Sequence, residues 1–113
     1  MKKFIPVCIT VFLLWGCSAS SPSVTSAVSS DSNPVTGQKV LFQVVSVSDN
    51  PPMTYTWHCD SGTLQPALGS DGNPIGYFEY WTAPDVPGPT TVSCTVTDDR
   101  DETETFVFNV DVR

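Results

Sequence analysis

The sequence predicts an all-β domain, an antiparallel β-sandwich of about seven strands. Three observations lead there. From Val35 onward, short runs rich in Val, Thr, Phe and Tyr are separated by clusters of Pro, Gly, Asn and Asp. Inside the runs, apolar and polar residues alternate with the period of two expected of a strand with one buried face. No stretch repeats with the helical period, and nothing marks an internal repeat or a second domain. About 80 residues are left for one small core.

The elements follow in order. Val24-Thr25-Ser26-Ala27-Val28 alternates within a Ser-rich segment and is a candidate first strand. Gln38 to Val47 is apolar and β-branched, and Asp49-Asn50-Pro51-Pro52 ends it in a turn. Thr54 to Cys59 is the next strand, closed by Asp60-Ser61-Gly62. Thr63 to Asn73 is irregular, with room for a short edge strand. Gly76 to Trp81 is a strand, and Ala83 to Pro89, with three prolines and a glycine, is a connector. Thr90 to Thr97 alternates strictly. Asp98 to Glu102 is an acidic hairpin turn, and Thr103 to Val112 is the last strand.

Alternation assigns the faces. Val40, Phe42 and Val44 point inward. Tyr55, Trp57 and Cys59 share a face, with His58 opposite. Val92, Cys94 and Val96 share a face, as do Phe106, Phe108, Val110 and Val112. A pairing that sets Cys59 beside Cys94 sets Trp57 near Val96.

Ahead of the domain, Lys2 and Lys3 precede an apolar run from Phe4 to Trp15. The run is about a dozen residues, and a membrane-spanning helix needs roughly 20. A secretory leader fits this length better. Leu14-Trp15-Gly16-Cys17 resembles the lipobox of bacterial lipoproteins, with Trp15 where a small residue is usual. The resemblance implies export, cleavage before Cys17 and lipidation of its thiol; an ordinary signal peptide with an incidental cysteine is the competing reading. It divides the chain into a signal peptide (1–16), a lipidated Cys17 with a Ser-rich flexible tether (17–34) and the domain (35–113). It also implies anchoring in the bacterial envelope, and Ser18 after the cysteine favours the outer membrane or cell surface over the inner membrane.

The mature chain keeps three basic residues, Lys39, Arg100 and Arg113, against twelve acidic ones. Its net charge is −9, against −7 for the whole chain. Such a surface repels nucleic-acid phosphates and anionic lipid headgroups. With Cys8 lost in the leader and Cys17 lipidated, Cys59 and Cys94 remain as one possible pair. Export would let a disulfide persist. A bridge over 35 residues would contribute about 3–4 kcal/mol in the chain-entropy model. Zinc is the alternative use for two cysteines, but one histidine and no C-x-x-C spacing support it poorly.

Tyr55-Thr56-Trp57, Trp81-Thr82-Ala83-Pro84 and Val92-x-Cys94-x-Val96-x-Asp98 resemble a bacterial immunoglobulin-like domain of the PKD type over residues 24–112. The resemblance implies an immunoglobulin-like sandwich with Tyr55, Trp57, Trp81 and Val96 as core signature. It places Trp57 on the third strand and Cys94 on the strand before the last. The W-D-F-G-D-G signature of PKD domains is replaced here by Trp57-His58-Cys59-Asp60-Ser61-Gly62. The second strand has no cysteine, so a Cys59–Cys94 bridge would join neighbouring strands of one sheet.

Three groups are candidate sites. Asp98, Asp99, Asp101 and Glu102 crowd one turn and are candidate calcium ligands; a solvated turn is the plainer reading, and Asp49 and Asn50 could join only from the same end of the sandwich. Phe78 and Tyr80, on the face opposite Trp81, are candidate ligand aromatics able to stack on sugar rings. His58, the only histidine, has no nucleophile or second base that the sequence identifies. The expected function is therefore a non-enzymatic lipoprotein whose domain has a protein-binding or structural role, with an envelope or extracellular protein as partner. Glycan binding is the alternative, and neither cofactor nor nucleic acid is expected.

Overall fold

The computed structural model describes residues 21–113. They form seven strands: β1 (Ser23–Ser29), β2 (Lys39–Val47), β3 (Thr54–Cys59), β4 (Thr63–Leu68), β5 (Pro74–Thr82), β6 (Gly88–Thr97) and β7 (Thr103–Val112). One sheet has the order β1-β2-β5-β4, the other β3-β6-β7, and every pairing is antiparallel. Four strands facing three in this order is the arrangement of an immunoglobulin-like sandwich.

The alternation seen in the sequence builds the core. Val40, Phe42 and Val44 of β2 are fully buried, as are Val92, Cys94 and Val96 of β6. Phe108, Val110 and Val112 of β7 meet them from the same sheet as β6. Phe42 is the hub of the aromatic packing, with ring centroids 4.7 Å from Phe108, 6.1 Å from Trp81 and 6.5 Å from Trp57. These tilted and edge-on geometries are the ones aromatic pairs prefer. The outer face of the smaller sheet, by contrast, is mostly polar, with Thr, Ser, Asn, His58 and Asp111, and Val107 is an exposed apolar exception.

Gly62 explains the turn after β3. Its φ of +85° lies in the left-handed region, where a side chain is strained. A Cβ there would sit 2.6 Å from Trp81 Nε1 and overlap the Thr82 carbonyl. The space is taken because Trp81 Nε1 donates a hydrogen bond to the Ser61 carbonyl at 2.8 Å. The turn glycine is thus also a packing residue for the largest buried side chain.

Two expectations change, the extent of the tether and the register of β3, and two open readings, a first strand and an edge strand, are met. The folded unit starts before Val35: β1 pairs with β2, with an irregularity between Val24 and Ser26. Residues 31–34, expected as tether, are docked on β7 together with Val35 and Thr36. Asp111 N donates to Ser32 O, Arg113 N to Pro34 O and Thr36 N to Arg113 O. Asn33 Nδ2 donates to Asp111 O at 2.6 Å, and Pro34 is fully buried. The irregular stretch after Gly62 begins with β4, a true edge strand. Finally, the register of β3 on β6 is two residues from the one expected. Trp57 lies opposite Cys94, Tyr55 opposite Val96 and Cys59 opposite Val92. Cys59 and Cys94 are diagonal neighbours on one face, and both are free thiols, so the expected bridge is not formed. A shift of two residues leaves every side chain on its own face, so alternation cannot detect it.

Candidate functional site

The two long sides of the sandwich differ. On one, residues 31–36 and β1 close the gap beside β7. On the other, β3 and β4 are the free edges of their sheets. The inner faces of β3 and β5 diverge there, leaving a cleft of about 320 Å³. Its walls are Tyr55 and Trp57 from β3, Pro66 from β4, and Ile75, Gly76 and Glu79 from β5.

Each wall residue is placed by its strand. Glu79 lies two residues before Trp81, so it faces inward between Phe42 of β2 and Pro66 of β4. Tyr55 and Trp57 share the inward face of β3 and lean on the core with one side only. Trp57 Nε1 reaches across the gap and donates to the Gly76 carbonyl at 2.8 Å. Gly76 also makes room for the Tyr55 ring: a Cβ on it would lie 2.8 Å from Tyr55 Cδ1. The Tyr55 hydroxyl shares a 3.0 Å hydrogen bond with the Ser46 hydroxyl, which fixes the ring. Tyr77 packs edge-on against the wall residue Tyr55 at 6.1 Å, next to the cleft, and is 44% exposed.

Glu79 is the chemical anomaly. It is only 8% exposed. Among the described residues its carboxylate accepts no hydrogen bond and forms no ion pair. Burial pushes its pKa above the usual carboxylate range. Buried carboxylates are ordinarily paired or hydrogen-bonded, because desolvation without a partner is costly.

The thiols nearby are quiet. Cys94 is pushed up to about 12 by burial and by the charge of Glu79. Cys59 is raised by burial first and the Asp60 charge second, and its Sγ lies 3.7 Å from the Gly62 carbonyl. Nucleophilic cysteines need a lowered pKa, so neither thiol is poised for chemistry at neutral pH.

The candidates read from the sequence lie elsewhere, apart from Tyr55 and Trp57. Trp81 and Val96 are fully buried core residues. Phe78 and Tyr80 are on the outer face of the larger sheet, opposite Trp81 as expected. They are half-buried there, with Lys39 Nζ 5.1 Å from the Tyr80 ring. β4 extends the sheet beside them and does not cover them. His58 points outward, with its Nε2 3.6 Å from Asp60 Oδ1.

Asp98 is the keystone of its turn. Its Oδ1 accepts from Arg100 N at 2.8 Å and Glu102 N at 3.1 Å, and its Oδ2 accepts from Ser48 Oγ at 3.0 Å. Burial alone would raise its pKa. The bonds from Arg100, Glu102 and Ser48, with the Arg100 charge, outweigh that and hold it below the usual value. The Asp49–Asn50 loop does lie at this end, since Asp99 N donates to the Asn50 carbonyl at 2.8 Å. The Asp98 oxygens are engaged by protein donors, while Asp99, Asp101 and Glu102 are exposed. Among the described residues no three His, Cys, Asp or Glu side chains converge as a metal site. Cys17 and the leader lie outside the described residues.

Glu79 and Gly76 were not singled out from the sequence as site residues, although for Glu79 one signal was available. A charged residue two positions from Trp81 in a period-two run must share its buried face. No protein-family model matches the chain, and no curated protein matches it.

Proposed function

We propose that this chain is a non-enzymatic lipoprotein of the bacterial envelope, lipidated on Cys17, whose immunoglobulin-like domain binds a protein partner along its open side. One observation carries the reading: an aromatic-walled cleft runs beside β3, a free edge strand with no proline in it. A free edge can pair with an extended segment of another protein, while adjacent pockets take alternate side chains. The other edge at this cleft, β4, carries Pro66, which cannot donate to a ladder. The supply of unpaired backbone groups beside the cleft is therefore greatest on β3.

The lipid anchor, if placed on Cys17, also sets the range of action. β1 starts at Ser23, so only residues 18–22 separate it from the anchor. At about 3.6 Å per extended residue, the domain stands within roughly 20 Å of the membrane. Its partner would be a membrane-proximal protein.

Site-specific photo-crosslinking in the native envelope tests this reading. A photoreactive residue at Tyr77, exposed beside the Tyr55 wall of the cleft, is expected to yield a discrete protein adduct. The same residue at Val107, which is 47% exposed on the outer face of the smaller sheet, is expected to yield none. No adduct at Tyr77, or equal adducts at both positions, would overturn it.

A further inference from the structure

We infer that the cleft is a receptor for a single basic side chain, with arginine the best fit, carried on an extended segment of the protein partner and paired with Glu79. The inference rests on the protein-binding reading and names the chemistry of the guest. Its basis is charge and shape. Glu79 is more than nine-tenths buried, has no partner among the described residues and lines the cleft. A carboxylate in that state is stabilised most by a cation that brings hydrogen-bond donors with it. Arginine supplies a planar fork of donors that matches a carboxylate.

The walls suit the rest of such a guest. The faces of Trp57 and Tyr55 attract a guanidinium by cation–π interaction. Pro66 and Ile75 offer apolar surface to its methylene stem. The volume, about 320 Å³, is at the bottom of the range for small-molecule sites, about 300–1,000 Å³. That suits one side chain better than an oligosaccharide. Among the described residues the cations do not fill the role: Lys39 lies over Tyr80 on the outer face, Arg100 sits beside Asp98 in the turn after β6, and Arg113 Nε donates to the Asn33 carbonyl on the closed side. The acidic surface adds long-range attraction for a basic segment.

The test uses the full chain in detergent micelles, labelled so that the Trp57 indole N–H is followed by NMR. Three capped five-residue peptides are titrated, with arginine, citrulline or norleucine at the centre and valine and threonine around it. The arginine peptide is expected to move the Trp57 signal saturably. Citrulline at the centre, or Glu79→Gln in the protein, is expected to weaken binding at least tenfold. Glu79→Gln removes a buried unpaired charge, so this variant should fold. Equal binding of all three peptides, or arginine binding undiminished by Glu79→Gln, overturns the basic guest and leaves edge-strand binding standing. No movement of the Trp57 signal with any peptide also overturns it, whereas the protein-binding reading is decided separately by the Tyr77 crosslink.

Discussion

The two long sides of this sandwich use similar residues to opposite ends. At the β1–β7 side, Pro34 is fully buried and residues 31–36 hydrogen-bond to the end of β7. At the β3–β4 side, Pro66 and Pro74 line a gap instead of closing one. Proline contributes no N–H in either place. On the closed side the carbonyls around Pro34 do the bonding. On the open side no third segment arrives, and the Trp57–Gly76 hydrogen bond reaches across in its place. The difference teaches that the closed side is built for stability, while the open side leaves a carboxylate and an aromatic wall unsatisfied.

If this contrast is right, the two tryptophans should differ most. Trp81, fully buried beside Gly62, should cost about 3–5 kcal/mol when changed to Ala. Trp57→Ala should cost less than half of that, since its free side already faces the cleft. Urea unfolding of both variants measures the gap, and equal losses would mean that the cleft is part of the core. Gly62→Ala comes next. Left-handed strain of about 1–2 kcal/mol adds to the clash with Trp81, where overpacking costs typically 1–3 kcal/mol. A loss below 1 kcal/mol would show that the turn can move away from the indole.

Glu79→Gln should act in the opposite direction and stabilise the domain at pH 7. About 1 kcal/mol would appear as a rise of roughly 4–8 °C in Tm. The pH dependence has a definite sign. Because the folded pKa of Glu79 is raised above 4.5, the native state holds that proton to higher pH than the unfolded chain. The penalty is absent below the ordinary value and grows as pH rises through the raised one. The gain from Gln should therefore shrink as pH falls from 7 toward 4.5. The thiols of Cys59 and Cys94, both pushed up, stay neutral over this range. Asp98 behaves conversely: with its pKa lowered, its contribution is present above 3.8 and lost only as pH falls through the lowered value. Melting curves of wild type and Glu79→Gln at several pH values separate the two effects. A gain independent of pH would rule out the charge as its cause.

The smallest effect belongs to the strap on the closed side. Asn33→Ala removes one exposed hydrogen bond to the Asp111 carbonyl. It should cost about 0.5–1 kcal/mol, with faster amide exchange confined to the end of β7. Exchange that instead spread to β3 would show that the two sides are not independent.

The local steps of this fold were legible because they are set by period and turn chemistry. The strands β3 and β7, the inward faces of Val40, Phe42, Val44, Val92, Cys94 and Val96, and the outward His58 all follow from alternation. The all-β sandwich follows from the regular spacing of those runs. Register did not follow, because moving β3 two residues along β6 keeps every face and changes only who sits opposite whom. That is how Trp57 came to oppose Cys94 and the expected bridge failed to form. The Ser-rich segment looked like tether because its strand signal is weak by itself. Pairing of β1 with β2 and docking of residues 31–36 on β7 supply the missing hydrogen bonds. Glu79 was readable as inward-facing from its spacing to Trp81. Its lack of a partner depends on groups that other strands bring beside it: Trp57 of β3 and Pro66 of β4. Sequence by itself determined the strands and their two faces. Tertiary structure decided the register, which side closed and which stayed open, because those depend on nonlocal contacts that alternation leaves undetermined.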